Sequence, residues 1–531
     1  MRTTTALALA VRILAALFTR SFFQPDEYFQ SLEPAHHLVF GYGHLTWEWR
    51  APAPIRSFLY PALNVPVYWA LKVLRLDDTR LLVWAPKLLH GVLAAGTDVG
   101  VREVARRVLG ERYVAATFFV SLTSLFHGLA LSRSLSNSLE TTLTTLALSY
   151  YPWDPALTPT RPQLRSLLLF AALACATRVT NAVIWIFLIP PLLWRLRAHP
   201  HRLFAFLVDA LLIATITLIA LFAIDSAYNG TPTLTLLSFL RVNASPTALF
   251  YGVAPWHYYL VQALPLLCGP ALPFVLHGAW RARGPAARTL LAAAAGTTAV
   301  FSCAGHKEWR FLHPVLPLLH VLAAQSLVDL HSARPGAWHA LRIRPRHAAL
   351  LLVAAPAVWY AARVHATAQI DVLAYLRGLP AHEVWSVGFL MPCHSTPGQA
   401  YLHRPIEVWA LGCEPPLHGE DPAVYKDQTD VFYESPRAYL TIHFPSRVDE
   451  AFPPSPRPTS TPGAPPSAQP WKHTWPSHLV FFGALLDSDG VEQLLAAEGY
   501  GEAWRAGNGL EEDWRRRGGV RVWSSRGYTG Q

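Results

Sequence analysis

Apolar residues run in stretches that begin near Leu81, Tyr113, Leu139, Leu167, Val179, Leu203, Tyr258, Ala287, Phe311 and Leu350. At about 1.5 Å of rise per residue, such runs suit a hydrocarbon core roughly 30 Å thick. With the first run, Ala6 to Phe18, they predict about 11 transmembrane helices. That first run is shorter and holds Arg12, so it reads either as an uncleaved signal anchor or as a cleaved signal peptide. Between it and Leu81 the stretch from Gln24 to about Arg80 is too polar to span and too aromatic for disorder. It is expected to fold as a loop at the membrane interface, with Trp47, Trp49 and Tyr60 seated there. After Val364 the pattern changes to alternating segments such as Glu383 to Leu390, which predict a mixed α/β region. The expected organisation is a multi-span part, 1–363, with a loop at 19–80, followed by a C-terminal region, 364–531, interrupted by a Pro-rich insertion at 453–470.

Composition narrows the class. Of the 531 residues 52% are hydrophobic and only 15% charged, against about 25% charged in an ordinary soluble chain. A soluble globular enzyme is excluded as the first reading. The net charge of +10 comes from short basic clusters between apolar runs, such as Arg106, Arg107 and Arg112 or Arg342, Arg344 and Arg346. That placement reads as topology rather than as a nucleic-acid surface. The basic linkers mark the cytosolic side, which puts the 24–80 loop, the turn at Arg133, the turn at His306 and the C-terminal region on the luminal side. Sequons at Asn229 and Asn243 fall on that same side. The five cysteines lack metal-site spacing, and only Cys393 and Cys413 lie where an oxidising compartment would let them pair.

Three polar turns carry candidate chemistry. Asp26 and Glu27 directly follow the first span, where partial desolvation would make a carboxylate a usable general base. The plainer alternative is an acidic first turn of a helix from Glu27 to His37. His306, Lys307, Glu308 and Arg310 crowd a second turn, where Lys307 and Arg310 suit a lipid-linked phosphate or ordinary headgroups. In the third turn, Asn137 is expected to cap the next helix and Arg133 to pair with Glu140. His257 and His306 have no second ligand at helical spacing, so no metal site is expected.

The stretches Pro25 to Glu33, Phe40 to Trp49, His306 to Phe311 and Leu390 to Pro397 together resemble the glycosyltransferase family 22 membrane mannosyltransferases, in the branch that acts on GPI precursors. The resemblance covers most of the chain. It implies a GT-C fold in the endoplasmic reticulum membrane, dolichyl phosphate mannose as donor and a two-mannose GPI lipid as acceptor. The third mannose would be added in α1,2 linkage, with no cofactor. Dolichol-linked oligosaccharide or fourth-mannose GPI transfer are the rival activities. A polytopic transporter would instead call for ionisable groups near mid-span and an internal repeat.

The family's acidic site maps onto Asp26 and Glu27, and its His-Lys-Glu motif onto His306, Lys307 and Glu308; Trp309 stands where many relatives carry a second Glu. A β-linked donor and an α-linked product imply one inverting displacement. Asp26 is then expected to act as base and Glu27 to orient the sugar or support the base. Lys307, Arg310 and His306 would meet the phosphate, with Glu308 and Arg133 in support.

Overall fold

A computed structural model describes residues 2–50, 54–243, 245–332, 341–416, 421, 424–444 and 475–525. The Pro-rich insertion expected at 453–470 and Ala244 of the second sequon lie outside them. Among the described residues helices run as far as Gly378, and strands appear only from Ser386 onward.

The helical bundle is organised around the segment Trp309–His331, which starts as the 3₁₀ helix Trp309–Val315 and continues as the helix Leu316–Ser332. Leu312, Val315, Leu316, Leu318, Val321 and Leu322 along it are buried in the main apolar core. Helix Pro200–Asn229 is the opposite case, with Phe204, Leu211, Ile216 and Ile219 more than half exposed. An outward apolar face of that size suits lipid rather than water.

By length and hydropathy, five helical segments among the described residues are able to cross a bilayer: Val179–Leu196, Pro200–Asn229, Tyr259–Arg281, Trp309–His331 and Pro345–Gly378. The other expected spans are broken or more polar. The run from Tyr113 gives the helix Val114–Thr123, which ends at an extended Ser124. In helix Ser136–Tyr150 the hydroxyls of Thr141, Thr142 and Thr145 donate to carbonyls four residues back. Hydropathy undervalues such a helix because its polar groups are satisfied internally.

Helix Leu81–Leu109 packs against two neighbours through glycines. A Cβ at Gly91 would lie 2.9 Å from Ile13 Cα, and one at Gly100 would lie 3.2 Å from the Thr145 carbonyl. Small residues let helix backbones approach where no hydrophobic effect drives them together. Arg12, out of place in its apolar run, forms a two-pronged pair with Asp98 at 2.7 and 2.9 Å. It also donates to the Ser121 and His127 carbonyls.

The C-terminal region is a five-stranded sheet in the order β2-β1-β3-β5-β4, comprising β1 Ser386–Phe389, β2 Glu407–Ala410, β3 His478–Phe482, β4 Tyr500–Ala506 and β5 Val520–Ser525. β1 runs parallel to β2 and β3, while β3–β5 and β4–β5 are antiparallel. Strand alternation divides its side chains between two cores. Val480, Phe482, Val520 and Val522 join Tyr28, Phe29 and Leu32 of the first loop. Leu479, Phe481 and Trp523 face Phe432, Leu440 and Trp475 on the other side. The sheet therefore serves as the platform on which the first loop is seated.

That seating corrects one expectation. Trp49 and Tyr60 are buried rather than placed at an interface, and Trp49 Nε1 donates to the Phe29 carbonyl at 2.8 Å. The exposed large apolar residues among the loop's described positions are Leu38, Leu63, Trp69, Val73 and Leu74 instead.

Candidate active site

Pro25 sets the start of the first-loop helix. Its carbonyl accepts the Tyr28 and Phe29 N–H groups at 3.0 Å, and a π-helical turn, Tyr28–Leu32, leads into the helix Glu33–Phe40. With Tyr28, Phe29 and Leu32 drawn into the sheet-side core, the two neighbouring carboxylates diverge. Glu27 turns inward and Asp26 outward.

Asp26 Oδ2 accepts from Arg310 Nη1 at 2.5 Å, and its side chain stays 17% exposed. Its other oxygen has no hydrogen-bond partner among the described residues. Arg310 also donates from Nε and Nη2 to Glu308 at 2.5 and 2.9 Å, so its planar fork joins the two carboxylates. Burial alone would raise Glu308, but Arg310 and His306 outweigh it and hold that carboxyl well below its usual range. The hydrogen bond that His306 donates to Glu308, more than the opposing burial, raises His306. Lys307 turns away from this trio, donating to the Ala254 carbonyl at 2.6 Å and to the Ala304 carbonyl.

The 3₁₀ start at Trp309 fixes the height of Arg310. An α-helical bond to the Arg310 carbonyl would need the N–H that Pro314 lacks. Asn137 Nδ2 donates to that carbonyl at 3.3 Å. Asn137 is therefore not the expected helix cap; the cap position is Leu135, without a side-chain bond.

Glu27 is fully enclosed. Its oxygens lie 3.2 and 3.3 Å from Arg133 Nη1, and Oε1 accepts the Gln24 N–H at 3.1 Å. Burial raises its carboxyl, with Arg133 opposing. Arg133 donates further to the carbonyl and hydroxyl of Ser21. The expected Arg133–Glu140 pair is thus replaced: Glu140 lies 3.4 Å from Arg178 and accepts from Asn181 at 3.0 Å. Packing of helices 41 and 38 positions apart along the chain outweighs the local turn.

Sequence reasoning missed several groups around Asp26. Arg56, paired with Glu48 at 2.8 Å, and Arg178 both act electrostatically on Asp26 and Arg310, and Gln30 steadies Glu48 at 3.2 Å. No spacing rule links positions 26, 56, 178 and 310. Arg56 and Arg178 also line a cavity of about 390 Å³, with Ala172, Ala176, Leu218 and Phe239 among its other walls. Glu33 was overlooked as well; it accepts the N–H groups of His44, Gln399 and Ala400 at 2.7 to 3.0 Å and so ties the loop to the C-terminal region. Burial pushes its carboxyl up to about 7 against those bonds. Cys393 and Cys413, left open from sequence, form a disulfide beside His394. With both sulfurs bonded to each other, neither is a thiolate, so this Cys-His-Cys group is poorly suited to a metal.

Residues 3–403 match the model of the Alg9-like mannosyltransferase family. The chain is 37% identical over 97% of its length to "GPI mannosyltransferase 3" of Yarrowia lipolytica, of which it covers 95%. It is 35% identical to the human "GPI alpha-1,2-mannosyltransferase 3", covering 82% of this chain and 76% of that protein. Among solved structures it is similar to ArnT from Cupriavidus metallidurans bound to undecaprenyl phosphate, with a TM-score of 0.58 at 14% identity, covering 98% and 97% of the two chains. That likeness is one of fold, the GT-C fold expected from the sequence.

Proposed function

The chain belongs to the Alg9-like mannosyltransferase family and is a membrane glycosyltransferase, and from that premise we propose that it transfers the third mannose, α1,2-linked, onto the GPI precursor. The donor is dolichyl phosphate mannose and the acceptor a two-mannose GPI lipid, both presented at the luminal face of the endoplasmic reticulum membrane. Residues 1–363 form the membrane part with its catalytic loop at 19–80, and 364–531 the luminal region.

The observation that carries the reading is the Asp26–Arg310 pair, in which one carboxylate oxygen is held at 2.5 Å and the other left open. Arg310 keeps the carboxylate aimed. Asp26 takes the proton from the 2-hydroxyl of the acceptor's terminal mannose as that oxygen bonds to the anomeric carbon. The bond from that carbon to the phosphate oxygen breaks on the opposite face, and the electron pair leaves with dolichyl phosphate. A phosphate leaving group needs no acid. Its charge is met by Arg310, with His306 as hydrogen-bond partner and Glu308 holding both His306 and Arg310; Lys307, the other expected phosphate ligand, is turned to the Ala254 and Ala304 carbonyls and would have to leave them to join Arg310. Glu27, closed in on Arg133, supports the base by fixing the loop from behind. The apolar cavity of about 390 Å³, lined also by Arg56 and Arg178, is of a chemistry to take the isoprenoid end of the donor.

The test uses membranes lacking third-mannose activity, supplied with this protein or Asp26→Ala and labelled dolichyl phosphate mannose. Conversion of the two-mannose to the three-mannose lipid by wild type alone supports both acceptor and base. Equal conversion by Asp26→Ala at matched protein level removes Asp26 as base, and labelling of an oligosaccharide lipid or a four-mannose GPI instead removes the acceptor assignment.

A further inference from the structure

The Leu390 to Pro397 segment takes no part in the reaction as described, yet it brings a side chain to the catalytic loop from the C-terminal region. His394 adopts φ of 55°, a left-handed conformation that a residue with a Cβ takes at a cost. Strain of this kind persists only where the surroundings impose it, and here they do. Cys393, the preceding residue, is bonded to Cys413, and its N–H donates to Thr429 at 3.2 Å. Gln369 donates to the Ser395 carbonyl at 2.6 Å on the other side. Glu33, through the Gln399 and Ala400 N–H groups, ties the following helix to the same loop that carries Asp26.

Held in this way, the His394 ring packs on Phe29 with centroids 4.6 Å apart and lies 6.3 Å from His44. Phe29 is three residues beyond Asp26 on the first-loop helix. Nδ1 lies 3.6 Å from Cys413 Sγ, while Nε2 has no hydrogen-bond partner among the described residues. The Asp26 carboxylate acts on the ring electrostatically, but burial dominates and pushes the imidazole down to about 4. His394 is therefore neutral at ordinary pH. It offers a hydrogen bond against the loop that carries the base, without adding a cation that would compete with Arg310 for Asp26. A small cavity of about 40 Å³ adjoins it, lined also by Phe29, His44 and Thr396.

We propose that His394 is an acceptor-contacting residue: from the C-terminal region its Nε2 hydrogen-bonds a hydroxyl of the terminal acceptor sugar, next to the hydroxyl that Asp26 deprotonates. The disulfide and Glu33 are the devices that hold it there. This inference rests on the mannosyl-transfer reading but not on which lipid-linked glycan is the acceptor.

The experiment measures initial rates in membranes containing the full-length protein, with donor and acceptor varied separately. Two-mannose GPI, three-mannose GPI and dolichol-linked oligosaccharide are each offered, and the glycan that wild type uses serves for the variants. Use of a glycan other than the two-mannose GPI overturns the acceptor assignment alone. For His394→Ala the expected result is a fall of about tenfold to a hundredfold in acceptor kcat/KM with donor KM unchanged, the effect of one lost buried hydrogen bond. His394→Asn, which tolerates the left-handed conformation and keeps a donor and an acceptor, is expected to recover part of it. Thiol labelling reports whether the 393–413 bond remains. An unchanged acceptor kcat/KM in His394→Ala overturns the proposal. So does an equal loss toward donor and acceptor in His394→Asn with the disulfide intact.

Discussion

Of the arginine–aspartate pairs among the described residues, one in the bundle and one that joins the bundle to the loop are built oppositely. Arg12 and Asp98 are 1% and 0% exposed, and their bonds are complete: the guanidinium reaches both Asp98 oxygens and two backbone carbonyls. Ser121 donates a further bond to Asp98. Arg310 and Asp26 are 10% and 17% exposed, and Asp26 keeps an oxygen with no partner among the described residues. A saturated pair has nothing left to offer a substrate, and its charges only hold helices in register. An unsaturated pair at an opening is pre-aimed for a proton. Completeness of hydrogen bonding, rather than the presence of charge in an apolar region, separates structure from chemistry here.

The largest contrast lies in activity. Asp26→Asn is expected to lower transfer by about 10²–10⁴-fold while leaving the thermal midpoint in detergent within a degree or two. Asp98→Asn should do the reverse, costing about 3–5 kcal/mol by leaving Arg12 buried and unpaired. Folded protein would then be lost, while each surviving molecule keeps its turnover. If Asp98→Asn proved as stable as wild type, the bundle pair would lose its structural role.

Replacing both partners sharpens the same distinction. Arg12→Met with Asp98→Leu should recover most of the stability lost by Asp98→Asn, because a buried pair exchanged for apolar packing is often neutral. Arg310→Met with Asp26→Leu should recover no activity. Arg310→Lys, which keeps the charge but loses the planar fork, is expected to cost about 10²–10³-fold in kcat.

The smallest effect is a matter of pH. His306 is raised by its bond to Glu308, so its imidazolium is favoured in the folded state. That stabilisation is fully present below about 6.5 and is lost as pH rises through the raised value. A gain below about 1 kcal/mol is expected for so exposed a pair. It is measured as a melting difference between wild type and His306→Gln that shrinks from pH 6 to about pH 9.

Much of the site was legible where the signal was local. The turn at His306 to Arg310 and the acidic pair at 26 and 27 stand out because each packs charge beside a long apolar run. Arg56 and Arg178 were not legible, since each reaches the surroundings of Asp26 from a segment with no periodic relation to it; His394 stands in the Leu390 to Pro397 stretch, but its packing on Phe29 is set by the fold. Arg12 looked only like an interruption of its span; its partner Asp98 is 86 positions away. From residue type Trp49 and Tyr60 read as interfacial, but Trp49 is buried beside Phe58 and Tyr228 with its N–H satisfied.

Hydrophobic periodicity by itself determined the order of elements: helices through the first two thirds of the chain, strands after, and the polar turns between. It does so because each element must hide one face, and the period of the apolar residues states which. Only the tertiary structure gave Asp26 and Glu27, two adjacent carboxylates of the same chemistry, their opposite surroundings. Glu27 meets Arg133 from 106 positions away and is sealed, whereas Asp26 meets Arg310 from 284 positions away and stays open. Which charge is neutralised, and how completely, depends on distances of a few ångströms between segments remote in sequence, and no local pattern encodes those distances.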